Sequence, residues 1–257
     1  MHSFIFLCVF SNHSVAGRML TLVNFSSVTL DGLWITGFMN YGNGGAIYAE
    51  NSSLTVRNCF FINNSVFNIG SGASGAALFA KNSNVYVENT VFYSHKSKAD
   101  GAVIYAGHSS NLTVTDSRFE DAICDGQGGF IFFDATHSSS MFVSSTKFFQ
   151  ASAYAGGAIA IYGGRSNPTA NMIMASTFAG LSTSTTAASI LLQGASLTMQ
   201  LCSFINNFAI SGASALEAYS SSIKLTSNTF NFTGAPEATI VSSTLADTGS
   251  YFGNGGQ

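Results

Sequence analysis

The stretch Gly44–Ala49, GGAIYA, decides how this chain reads, because variants of it return throughout the sequence. It recurs as GAALFA at Gly75, GAVIYA at Gly101, GGFIFF at Gly128, GGAIAI at Gly156, AASILL at Ala187, ASALEA at Ala213 and EATIVS at Glu237. Successive blocks start 31, 26, 27, 28, 31, 26 and 24 residues apart. A second motif ends on an aromatic residue and follows each of the first seven blocks: LTVRNCFF, VYVENTVF, NLTVTDSRF, MFVSSTKF, MIMASTF, LTMQLCSF and IKLTSNTF. An earlier copy, VTLDGLWI, starts at Val28. A period near 28 residues built from short apolar segments and turns is the mark of a solenoid.

The columns of the repeat identify the kind of solenoid. The fourth block position is Ile47, Leu78, Ile104, Ile131, Ile159, Ile190, Leu216 and Ile240, aliphatic in every copy, whereas the fifth accepts Tyr48, Ala160 and Glu217. Strand side chains alternate between faces, so positions two, four and six are expected to point inward and position five outward. Stacking coils at strand spacing puts like on like, which gives an all-β, single-stranded parallel β-helix of about eight coils. A helical repeat would need a 3.6-residue apolar period that the blocks lack.

Composition agrees with this and narrows the function. In 257 residues, 8% are charged and the net charge is −3, so no basic field exists to hold nucleic acid. No apolar run reaches the length of a membrane-spanning helix. Cys8, Cys59, Cys124 and Cys202 have no paired spacing, which speaks against zinc or a redox pair. Cys59 and Cys202 lie five coils apart on the inward side and read as packed thiols. The β-helix is expected over 1–250. Residues 1–27 are an incomplete first coil or a signal-like segment; the strand reading is preferred because the apolar run is short and no Lys or Arg precedes it. Residues 251–257 are a glycine-rich tail or, since GNGG also precedes the block at Gly44, the start of a further coil in a longer chain.

GGAI at Gly44–Ile47 and Gly156–Ile159, with FxxN at Phe61–Asn64 and Phe204–Asn207, resembles the repeats of the chlamydial polymorphic outer-membrane proteins. It is similar more widely to the right-handed, pectin-lyase-like β-helices. The resemblance implies a right-handed coil, a secreted or surface-displayed location and an adhesin-like role.

Two groups of residues are candidates for function. Tyr48, Phe79, Tyr105 and Phe132 occupy position five on consecutive coils, an outward aromatic stripe suited to sugar rings or a surface protein. The alternative is an enzyme acting on uronic-acid polymers, with catalytic carboxylates drawn from Asp100, Asp121, Asp125 and Asp134. No cofactor is expected; if calcium binds, Glu120, Asp121 and Asp125 are the ligands to test. His95 and His108 are expected in surface turns. Asp31, Arg57 and Glu88 form a short ion ladder beside stacked Asn58 and Asn89. A threonine column (Thr29, Thr55, Thr113, Thr198), the remnant of an ice-binding-type face, is expected to be broken by Tyr86, Phe142 and Ile173.

Overall fold

In the computed structural model the chain is an all-β parallel solenoid of about eight turns, with no helix among the described residues. The structure describes residues 8–12, 16–24, 27–67, 73–164, 170–231, 238–241 and 243–253. No described helix is long and apolar enough to cross a membrane. Among the described residues the coils stack their strands into three parallel sheets, two of nine strands and a third of fourteen, to which some coils give two short strands, such as Phe60–Ile62 with Ser65–Val66. The first sheet holds the aliphatic blocks, for example Ile47–Glu50, Leu78–Lys81, Ile104–Gly107, Ile131–Ala135 and Ile159–Gly163. The second holds Ser53–Arg57, Asn84–Glu88, Asn111–Thr115 and Ser140–Ser144, and the third Phe60–Ile62, Val91–Ser97, Arg118–Cys124 and Lys147–Ala153.

Register is in line from coil to coil. Ile104 pairs with Ile131 and Ile131 with Ile159, all fully buried, so the like-on-like column is real. The third sheet supplies the other half of the core. Phe61, Phe92, Phe119, Phe148, Phe178, Phe204, Phe230 and Phe252 stack with centroids 4.6–5.0 Å apart. Flat rings tolerate strand spacing at near-parallel tilt, which is why one aromatic type fills a whole column.

The sequence expectation needs four adjustments here. First, the block is not six residues of strand: Gly44–Ala46 form a turn, and the strand begins at the fourth position. A Cβ on Gly44, at φ 73°, would sit 2.4 Å from the Ile47 carbonyl oxygen, which explains glycine there. Second, the last coil is 22 residues, Leu216 to Ala238, so Ile240 stacks on Ala218 and not in the fourth-position column. Third, Met172 faces outward in the threonine column, opposite Phe142 and Thr198, while Ile173 is in the core. Fourth, the ion ladder joins only Arg57 and Asp31, at 3.0 Å; Glu88 takes no part among the described ion pairs. The amide ladder does form, Asn89 donating to Asn58 and Asn58 to Asp31, each at 2.8 Å.

Corners carry the polar work of the fold. Between the second and third sheets one left-handed residue turns each coil, from Asn58 (φ 54°) through Asp116 (φ 50°) to Leu201 (φ 56°). The next residue is small and polar and binds the coil beside it: Thr90 N–H donates to Ser117 Oγ, and Thr146 N–H to Ser176 Oγ. Cys59 and Cys202 occupy this same column, fully or almost fully buried as free thiols, and their S–H groups donate to backbone carbonyls. Burial raises both thiols, Cys202 to about 11, which keeps them unreactive at neutral pH.

The asparagine of FxxN has an equally physical role. Asn64 Oδ1 accepts from Phe38 N–H at 2.9 Å while its Nδ2 donates to the Ile35 carbonyl at 3.1 Å. Asn207 repeats both bonds with Leu181 N–H and the Phe178 carbonyl, each at 3.0 Å. A buried amide thus replaces the backbone pairing lost where the third sheet bends. His95 stands in the same column and is fully buried, not in a surface turn as the sequence suggested; its ring nitrogens face the carbonyls of Phe61 and Asn64.

Candidate functional site

The aromatic stripe lies on the outer side of the first sheet, outside the main core, as alternation requires. Its rings form one stack: Tyr48 on Phe79 at 5.5 Å, Phe79 on Tyr105 at 4.7 Å, Tyr105 on Phe132 at 5.2 Å. Tyr162 continues it, leaning 5.3 Å from Phe132 in the space left by Ala160, and the Arg18 guanidinium closes the other end 5.0 Å over Tyr48. Stacking consumes the ring faces, and the glycine turns fold over the sheet. Phe79 is 5% exposed and Phe132 9%. What the stripe offers outward is hydroxyls and edges: Tyr48 donates to Glu50, which is bridged to Lys81 at 2.8 Å. Farther along the same column Glu217 is buried, accepting from Ala187 N–H, Ala213 N–H and the Tyr219 hydroxyl. The connection 63–74, which could pass over part of the stripe, lies partly outside the described residues.

The candidate carboxylates occupy the first sheet, the corner leading into it and the bend of the third sheet. Asp134 sits on the outer side of the first sheet, bonded to Thr136 at 2.6 Å. Asp100 occupies the corner leading into that sheet, where its Oδ1 accepts from Gln127 N–H at 2.8 Å. Burial pushes the Asp100 carboxyl above its ordinary range, with the Gln127 N–H opposing. Burial, then the charges of Asp134 and Asp100, push the Tyr105 hydroxyl up to about 12, so these three groups share one neighbourhood. Asp125 is on the solvent side of the same corner, held by Lys98 at 2.7 Å. Asp121 takes the left-handed bend of the third sheet (φ 55°), and Glu120 beside it is bridged to Arg118 at 2.7 Å. Glu120, Asp121 and Asp125 do not gather as a cation site: among the described residues no three acidic, His or Cys side chains are grouped to hold a metal.

The residues that sequence reasoning missed flank the closing aromatic of each coil. On the third sheet one outward column runs Trp34, Phe60, Val91, Arg118, Lys147, Thr177, and its neighbour runs Ile62, Tyr93, Glu120, Phe149, Ala179, Ile205. These aromatics remain accessible, Phe60 at 37% and Tyr93 at 44%. The signal was present as x-F-x triplets (FFI, VFY, RFE, KFF, TFA), but each column mixes residue types and so shows no repeat. Where the ladder steps from Phe149 to Ala179 a recess of about 320 Å³ opens, lined by Arg118, Glu120, Phe149, Gln150, Ala179 and Gly180. Arg118 lies over one side of the Phe149 ring, its carbon 5.2 Å from the centroid. A second groove of about 310 Å³ on the other side of Arg118 runs along Asp116, Ser145 and Lys147.

The fold and these faces define a parallel β-solenoid with a closed interior and a chemically varied exterior. No family model, curated protein or solved structure matches the chain. The likeness of its GGAI and FxxN motifs to the polymorphic outer-membrane protein repeats therefore rests on those residues alone.

Proposed function

We propose that the protein is a non-enzymatic, extracellular or surface-displayed β-helical rod of adhesin-like character that holds a glycan or a surface protein on an outer face. The observation that carries this reading is the contrast between inside and outside. The interior is filled by stacked aliphatic and phenylalanine columns, whereas the third sheet presents half-exposed aromatics beside paired charges along its outer face. An outer face with side chains repeated at strand spacing suits an extended ligand. The first-sheet stripe, its ring faces already stacked, serves the rod as a second spine.

A polysaccharide-active enzyme is the second reading, favoured by the desolvated Asp100 carboxyl beside Tyr105 and Asp134. Glycan-array binding together with incubation on uronic-acid polymers separates the two. The binding rod predicts retention on an array or a host surface with no unsaturated or reducing products. Product formation abolished by Asp100→Asn overturns the non-enzymatic reading.

A further inference from the structure

We propose that the recess beneath Phe149 on the third sheet is a subsite for one neutral hexose unit of an extended glycan. This deepens the binding-rod reading and rests on it. The coil register creates the recess. Glu120, Phe149 and Ala179 succeed one another in one outward column, so the Phe149 ring has a large neighbour on one side and a methyl group on the other. Gln150 is followed in the same way by Gly180, where even an added Cβ would come no closer than 3.7 Å to Gln150. The step leaves about 320 Å³, the lower end of the range of small-molecule sites.

The lining matches a pyranose ring. Phe149 supplies an apolar wall for the C–H face of a sugar, and the Arg118 guanidinium packs against that ring while lining the same recess. Gln150 offers an amide, and Arg118 with Glu120 offers a fixed donor–acceptor pair at 2.7 Å, suited to adjacent hydroxyls. Because Arg118 and Glu120 neutralise each other, the recess has no net charge to attract a uronate or sulfate, so a neutral sugar fits it best. Tyr93, two coils away in the same column and 44% exposed, gives a longer chain a further aromatic contact.

Ala179→Phe tests the assignment, because it extends the outward ring column and fills the recess without touching the core; Phe149→Ala removes the wall from the other side. Both variants, with Tyr86→Phe on the second sheet as a comparison, are titrated by calorimetry with neutral hexasaccharides of glucose, mannose and galactose and with an acidic uronate hexasaccharide, after circular dichroism has shown each to be folded. The subsite predicts that the wild type binds at least one neutral hexasaccharide, that Ala179→Phe and Phe149→Ala each weaken it by about tenfold or more, and that Tyr86→Phe does not. Unchanged affinity in Ala179→Phe overturns the subsite and leaves the binding-rod reading in place. Binding only to acidic hexasaccharides also overturns the neutral subsite while the wider reading survives. A wild type that binds no glycan or host surface removes both.

Discussion

Phe119→Ala measures how strongly the phenylalanine column holds the rod together. Phe119 is fully buried, with Phe92 stacked at 4.6 Å, Phe148 at 5.0 Å and Phe130 edge-on at 5.7 Å. Deleting a core ring costs about 3–5 kcal/mol through lost transfer energy and the cavity left behind. Here the cavity cannot collapse, because the rings on either side are fixed by their own coils, so the upper part of that range, about 4–5 kcal/mol, applies. Phe252 is the last described ring of the same column, 4.7 Å from Phe230, and is already 40% exposed. Its truncation should cost about 1–2 kcal/mol, since less area leaves water on folding and no closed cavity results. The assay is urea unfolding by circular dichroism, paired with amide hydrogen exchange. Nearest-neighbour coupling in a solenoid predicts that exchange in Phe119→Ala rises first in the coils of Phe92, Phe119 and Phe148. Equal losses in the two variants, or a loss below about 1 kcal/mol for Phe119→Ala, would refute the stacked-column reasoning.

Three further outcomes follow from the corners of the coil. Asn207→Ala leaves Leu181 N–H and the Phe178 carbonyl unpaired and should cost about 2–3 kcal/mol, whereas Asn206→Gly, at φ 50°, should be close to neutral in the same melts. Gly128→Ala forces a Cβ to 2.2 Å from the Ile131 carbonyl oxygen and should prevent folding or shift the melt sharply, while Gly180→Ala, whose Cβ meets Gln150 only at an ordinary contact distance of 3.7 Å, should cost only about 1 kcal/mol for its left-handed backbone. His95 gives a pH dependence. Burial holds its imidazole at about 4 against an ordinary 6.5, with the Asn64 and Phe61 carbonyls and then Asp121 opposing. Between those values the unfolded chain binds a proton that the folded chain refuses, so this group's contribution is full above pH 6.5 and declines as pH falls toward 4, by up to about 3 kcal/mol. His95→Asn installs the side chain that Asn64 and Asn207 use in that column, and acid titration of its stability should lose this slope.

The period and the aliphatic column were legible in the sequence because both depend on like residues stacking, and stacking leaves a repeat. Ile104, Ile131 and Ile159 show it, and so do the closing phenylalanines. The bends were less legible because any residue can take a left-handed corner if the coils around it fix the chain; Ala175 (φ 48°) and Leu201 (φ 56°) carry no turn signature. His95 was misplaced for a related reason: its column holds Asn64 and Asn207 but also buried Ala122 and Ala151, so spacing alone gave no sign of an interior site. The last coil was misaligned because its 22 residues fall short of the earlier spacing, and EATIVS was matched by resemblance to the block. At the candidate site, alternation correctly sent Tyr48, Phe79, Tyr105 and Phe132 away from the core. It could not show that the rings would stack face to face, nor that accessible aromatics stand on the third sheet, because outer columns such as Tyr93, Glu120, Phe149 and Ala179 have no common packing partner to make them alike.

The most direct test of the architecture is a register-specific cross-link between neighbouring coils. Thr113 pairs with Phe142 on the outer side of the second sheet, while Ser144 lies two residues farther along the same strand. Side-by-side strand positions lie within disulfide reach, and a two-residue diagonal, at roughly 7–8 Å, does not. Thr113→Cys with Phe142→Cys should therefore close a disulfide on mild oxidation, seen by mass spectrometry of the protease-cut chain, and Thr113→Cys with Ser144→Cys should stay reduced. Closure of the second pair in preference to the first would mean that the coils do not lie one above another in this register.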